Sequence, residues 1–360
     1  MKKRLLSIMM AATVTAAMVL SGCSGSQTAA TTAAASAETK TEAPGETKAA
    51  ETTKAEAGET IGRQIAVGFS QVGAESDWRT ANTESMKSTF TEANGYKLIF
   101  DDAQQKQENQ LKAVRNFIQQ DVDYIVIAPV TETGWDTVLQ EAKDAGIPVI
   151  IVDRMIDVSD DSLYTAWVGS NFLQEGYDAV AWLDDYLKKN NRADEDINIV
   201  TLQGTIGSSA QIGRTDGVEE KMKDHPNWKM LERQTGEFTQ AKGQEVMESF
   251  LKTYDDIDVV IAENDNMAFG AIDAIKAAGK TCGPDGDIII ISFDAVAAAF
   301  DAMIAGDMNV SVECNPLHGP RVSEIIQKLE KGESVDKIAY VQEGVYPADT
   351  AAAEKPKRAY

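Results

Sequence analysis

The feature that constrains this chain most is a rhythm that begins at Gln64. Short β-branched runs alternate with longer stretches of helical periodicity. The pattern predicts strands at Ile65–Ser70, Tyr96–Asp101, Tyr124–Pro129 and Pro148–Asp153, with helical faces between them, as at Asn109, Leu111, Val114, Phe117 and Ile118. It then restarts, with strands predicted at Ile197–Leu202, Lys229–Gln234, Asp258–Ala262 and Asp287–Phe293 and helices near 208–224, 239–253 and 265–278. Apolar strands joined by helices build parallel sheets covered on both faces. Two consecutive sets imply an α/β protein of two doubly wound parallel-sheet lobes joined by a hinge.

What precedes Gln64 is of another kind. Lys2, Lys3 and Arg4 lead into an apolar run from Leu5 to Leu20, then Ser21, Gly22 and Cys23. A basic start, an apolar stretch too short for the roughly 20 residues of a membrane span, and small residues at its end read as a secretory signal. The tetrad Leu20-Ser21-Gly22-Cys23 resembles the bacterial lipobox, which implies a cleaved signal peptide at 1–22 and lipidation of Cys23. From Ser24 to Thr60 there is no Val, Ile, Leu or aromatic residue. A segment with nothing to bury cannot offset its ordering entropy, so 23–62 is expected to be a lipid-anchored disordered tether.

Charge then excludes whole classes of partner. With 34 Lys and Arg against 57 Asp and Glu, the formal net charge is −23, whereas nucleic-acid binding needs clustered cations. Two histidines and three cysteines leave little for a zinc site, a histidine-based triad or a disulfide scaffold. No metal, cofactor or catalytic residue is assigned.

Ligands of open α/β sheets sit outside the carboxyl ends of the strands. Those positions hold Ser70, Gln71, Glu75, Trp78 and Arg79, then Asp153 and Arg154, and in the second set Arg214, Phe238, Asn264 and Asp294. No nucleophile–base–acid series is among them. Carboxylates and amides bonding hydroxyls, planar guanidinium donors and aromatic faces over C–H surfaces suit a polyol.

On these residues the chain resembles the type I periplasmic sugar-binding proteins, the substrate receptors of bacterial ABC importers related to the ribose-binding family. The strings Val67–Arg79, Asp102–Gln110, Ile127–Val130 and Thr133–Trp135 resemble the galactofuranose-binding branch more narrowly. The resemblance implies a first lobe at 63–167 plus about 315–340, and a second at 168–314 plus about 341–360. It implies ligand contacts from Glu75, Ser76, Trp78, Arg79, Asp153 and Arg154 in the first lobe, and from Arg214, Phe238, Asn264 and Asp294 in the second. It further implies an extracytoplasmic, membrane-anchored monomer that closes on a monosaccharide and docks on ABC permease subunits. Family members often carry an amide at the last hinge crossing; this chain has Glu313-Cys314-Asn315, and Cys314 is not counted as a contact.

Two rival functions share these features. A receptor presenting its ligand to a membrane sensor kinase would use the same cleft. A glycoside hydrolase would need two carboxylates about 5 or 6.5–9.5 Å apart, one with a raised pKa. The neighbouring arginines are expected to hold Glu75, Asp153 and Asp294 ionised as acceptors. Asp265 reads as a helix cap, His225 as an exposed loop residue and His318 as a helix start. Cys282 and Cys314 are candidates for a disulfide whose distance the sequence does not supply.

Overall fold

The computed structural model describes residues 63–360; the signal peptide, Cys23 and tether expected at 1–62 lie outside the described residues. The first lobe opens with β1 (Ile65–Gln71), α1 (Asp77–Thr89), β2 (Tyr96–Asp102), α2 (Gln107–Gln119), β3 (Tyr124–Ile127), α3 (Asp136–Asp144), β4 (Val149–Val152) and β5 (Ala166–Gly169). The second lobe follows with α4 (Phe172–Lys189), β6 (Ile197–Gln203), α5 (Ser209–Met222), β7 (Trp228–Thr235) and α6 (Gln240–Thr253). It continues through β8 (Val259–Ala262), α7 (Asp265–Ala277), β9 (Ile289–Asp294), α8 (Ala297–Ile304) and β10 (Val310–Glu313). The chain then returns to the first lobe for α9 (Gly319–Glu330) and β11 (Ile338–Tyr340), and ends in the second with β12 (Val345–Pro347) and α10 (Ala348–Glu354).

The sheets run β11-β5-β4-β3-β1-β2 and β12-β10-β9-β8-β6-β7. Every pairing is parallel except β10 with β12. Alternate strand residues point to opposite sides, so each sheet feeds two cores. In β3, Tyr124 and Val126 join one cluster while Ile125 and Ile127 join the other. In β8, Val260 faces one core while Val259 and Ile261 face the second. Both lobes are therefore three-layered, as the apolar strands predict.

The structure adds strands that the pattern does not mark. β5 reads Ala-Trp-Val-Gly, with one β-branched residue and a closing glycine, so its composition does not mark it as a strand. It belongs to the first sheet, and the first lobe's expected end at 167 falls inside it. β10 is hidden by a serine: Ser311 is fully buried, donating to Asp265 Oδ1 at 2.8 Å and accepting from Ala295 N at 2.9 Å. The chain crosses between lobes three times, after β5, after β10 and between β11 and β12.

Candidate functional site

The strand ends of the two sheets face each other across a small cavity. All ten residues expected as contacts line it: Glu75, Ser76, Trp78, Arg79, Asp153, Arg154, Arg214, Phe238, Asn264 and Asp294. Phe172, Ala210 and Cys314 complete the wall. The lobes are closed over it. Glu132 N donates to Gly207 O at 3.0 Å, Met155 N to Ser209 Oγ at 2.7 Å and Asp77 N to Asn266 Oδ1 at 3.0 Å, each across the lobes.

Helix caps aim several of these side chains. Ser76 caps α1 by accepting from Arg79 N at 3.1 Å, which sets Trp78 and Arg79 on the first turn. Asn264, not Asp265, caps α7, accepting from Met267 N at 2.9 Å and donating to Phe238 O at 3.0 Å. Asp265 is instead a buried carboxylate that accepts from Val296 N, Ser292 and Ser311. Three cavity residues have left-handed backbone without being glycine: Asp153 at φ 64°, Phe238 at 61° and Asp294 at 106°. Such conformations cost on the order of 1–3 kcal/mol each and collect at functional sites.

The first-lobe wall is a balanced ionic group. Arg79 Nε donates to Glu75 Oε1 at 2.9 Å, and its other end lies 2.8 Å from Asp153 Oδ2, outside hydrogen-bond alignment. Arg154 donates to Val130 O at 3.0 Å and lies 3.8 Å from Glu75 and 3.9 Å from Asp153. Burial raises the Asp153 carboxyl, but Arg79 and Arg154 outweigh it and hold it below its ordinary value. Burial and the neighbouring Arg79 lower Arg154 to about 10. Glu75 Oε2 is buried without a hydrogen-bond partner among the described residues.

The second-lobe wall has one cation for several carboxylates. Arg214 donates to Glu175 Oε2 at 2.6 Å and Glu263 O at 2.5 Å, and reaches Asp294 only at 3.6 Å. Burial lifts Asp294 well above its ordinary value; Arg214 opposes this, and Asp265 and Glu175 add to it. The expectation that arginines outweigh burial at the site carboxylates therefore holds in direction for Asp153 and is reversed for Asp294.

Aromatic faces close the cavity. The Arg154 guanidinium lies 5.1 Å from the centre of the Phe238 ring, and Arg79 4.7 Å from that of Trp78. Trp78 is core and wall at once: its Nε1 donates to Cys314 O at 2.6 Å, and its ring packs with the second-lobe core.

Phe172 and Glu175 escape sequence reasoning because they follow the unmarked β5, so the strand-end rule never reaches them. Cys314 lines the cavity although it was not counted, and it is unpaired with Cys282; both thiols are free and buried. His318 does start α9, but fully buried, and burial lowers its pKa to about 4. His225 is half-buried rather than exposed, stacked on Trp228 at 3.9 Å.

A family model described as periplasmic binding protein domain matches residues 67–318. The chain belongs to that family. It is 45% identical over 298 residues to the galactofuranose-binding protein YtfQ of Escherichia coli (strain K12), covering 82% of this chain and 91% of that one. A crystal structure from Mycobacterium smegmatis in complex with β-D-fucofuranose is 46% identical, with a TM-score of 0.78 over 82% of this chain and 95% of that one. The periplasmic binding protein component of the arabinose ABC transporter from Shewanella sp. ANA-3, bound to α- and β-L-arabinofuranose, is 47% identical, with a TM-score of 0.77 over 82% and 96%. Membership of this family places the chain outside the cytoplasm, and no described helix is long and apolar enough to cross a membrane.

Proposed function

We propose that this protein is an extracytoplasmic sugar receptor that captures a monosaccharide in its furanose form, galactofuranose or a close relative, and delivers it to the permease of an ABC importer. The observation that carries this reading is the cavity itself, where carboxylates, guanidinium forks and aromatic faces from both lobes converge on one small space. Vicinal hydroxyls both donate and accept, so Glu75 Oε2 and Asp153 can accept from them while the arginines donate. Trp78, Phe172 and Phe238 offer faces for the C–H side of a ring. Three relatives named for, or solved with, furanoses or galactofuranose support the sugar class.

The mechanism is capture by closure. Each lobe supplies part of the shell, so a sugar binds the closed state better and shifts the population toward it. We assign no catalytic step: the named relatives are binding proteins, and the cavity's groups serve by accepting and donating hydrogen bonds. Cys23 would tether the receptor to the membrane by its lipid, and a single copy holds a complete site.

A thermal-shift screen of galactofuranosides, arabinose, ribose, fructose and galactose tests the sugar class. Asp153→Ala and Arg214→Ala are each expected to abolish the sugar-induced stabilisation. Unchanged shifts in both variants would overturn the site, and sugar turnover by the purified protein would overturn the receptor reading.

A further inference from the structure

The hinge carries a carboxyl group that the ligand site does not use. Glu343 lies on the crossing between β11 and β12. Its Oε1 accepts from Ser170 Oγ at 2.6 Å, on the crossing after β5, and from Asn315 N at 2.6 Å, on the crossing after β10. One oxygen thus joins all three crossings. Ser170 Oγ also lies 3.3 Å from Cys314 Sγ. Because the Ser170 proton is committed to Glu343, the thiol is the donor in that contact. A chain of donors therefore runs from Cys314 on the cavity wall, through Ser170, to Glu343.

The charges around Glu343 are unbalanced. It is faced by Glu175 from α4, Glu313 from β10 and Cys314 from the crossing after β10; oxygens of Glu175 and Glu343 and the Cys314 sulfur lie within 4.8 Å of one another. The two nearby cations are already engaged, Arg214 with Glu175 at 2.6 Å and Arg358 with Glu313 at 2.7 Å. Among the described residues no Lys or Arg forms an ion pair with Glu343. Since Oε1 takes both hydrogen bonds, Oε2 is free to carry a proton.

We propose that Glu343 is a positioning residue of the hinge, clasping the three crossings as a neutral carboxyl, and that its ionisation favours opening of the lobes. On the function proposed above, sugar capture then weakens as pH rises. Burial and the Glu175 charge push the Glu343 carboxyl up to about 8. Opening hydrates this carboxyl and lets its value fall back toward the ordinary 4.5, so the protonated form favours closure, and that contribution is lost as pH rises through about 8.

The test is a distance measurement between spin labels at two exposed positions, Lys97→Cys in the first lobe and Lys229→Cys in the second. The full chain is titrated from about pH 6 to about pH 10, alone and with methyl β-D-galactofuranoside. The closed-to-open ratio should fall by at most about tenfold per pH unit as it approaches pH 8. Glu343→Gln should keep the clasp and flatten the profile. Ser170→Ala removes a donor that favours the carboxylate and should move the midpoint to higher pH. A wild-type profile retained by both variants, or no pH response in the wild type, overturns the proposal. A pH response in the sugar-free protein with no response to the furanoside would leave the clasp standing and sink the furanose reading instead.

Discussion

The two lobes face the same cavity with unequal charge balances. The first sets Arg79 and Arg154 against Glu75 and Asp153, two cations for two anions. The second sets Arg214 alone against Glu175 and Asp294, with Glu263 and Asp265 buried behind them. In the first lobe Asp153 stays below its ordinary value. In the second, burial lifts Glu175, Glu263 and Asp265, the latter two to about 7 and about 6. The first lobe pairs its charges; in the second, burial raises the proton affinity of the carboxyls. A buried carboxylate keeps its charge only where a cation is close enough to outweigh desolvation, and one guanidinium cannot serve four groups.

The largest test of this contrast is removal of a cation from each side. Arg214→Ala leaves the Glu175 carboxylate buried without a partner, and breaking such a pair costs about 3–5 kcal/mol. Arg79→Ala should cost roughly half of that, because Arg154 remains within 4 Å of both Glu75 and Asp153. Denaturant unfolding measures both. Equal losses would break the contrast.

A smaller effect separates the lobes by pH. Glu263 accepts from Gly204 N at 2.7 Å and from Thr215 Oγ1 at 2.6 Å, yet burial raises it to about 7. Its stabilising share is complete below the ordinary value of 4.5 and is lost as pH rises through about 7. Over that window it removes at most about 1.4 kcal/mol per pH unit. Glu263→Gln, which cannot ionise, should flatten the fall in unfolding free energy. An unchanged slope would place the titrating group elsewhere.

The smallest test concerns shape. A Cβ at Gly204 would run into the Phe238 ring. Gly204→Ala should therefore push that ring toward the cavity, at about 1–3 kcal/mol of overpacking. Sugar affinity should drop more than stability does, read by calorimetry alongside unfolding. Equal losses would make Phe238 a core residue only.

Much of this was legible in the chain. Strands such as Ile65–Gln71 and Ile197–Gln203 are apolar runs bounded by polar helices, so period and composition mark them. Their carboxyl ends then lead to most of the cavity residues, since the parallel sheet brings those ends together, although the same rule also picks Ser70 and Gln71, which do not line the cavity. The rule failed where a strand had too few β-branched residues, as in β5, or carried a buried serine, as in β10. It also missed Glu175 and Glu343, whose roles rest on neighbours far away in sequence.

By itself the sequence determined the two-lobed α/β architecture, through local periodicity, and pointed to the ten residues that line the cavity, nine through the strand-end rule and Ser76 through the family resemblance. Only the tertiary structure decided the raised proton affinity of the second lobe's carboxyls, the left-handed backbone at Asp153, Phe238 and Asp294, and the hydrogen bonds that Glu343 makes across the crossings. Those depend on desolvation and on contacts between segments that only the hinge crossings bring together, and no local pattern encodes them.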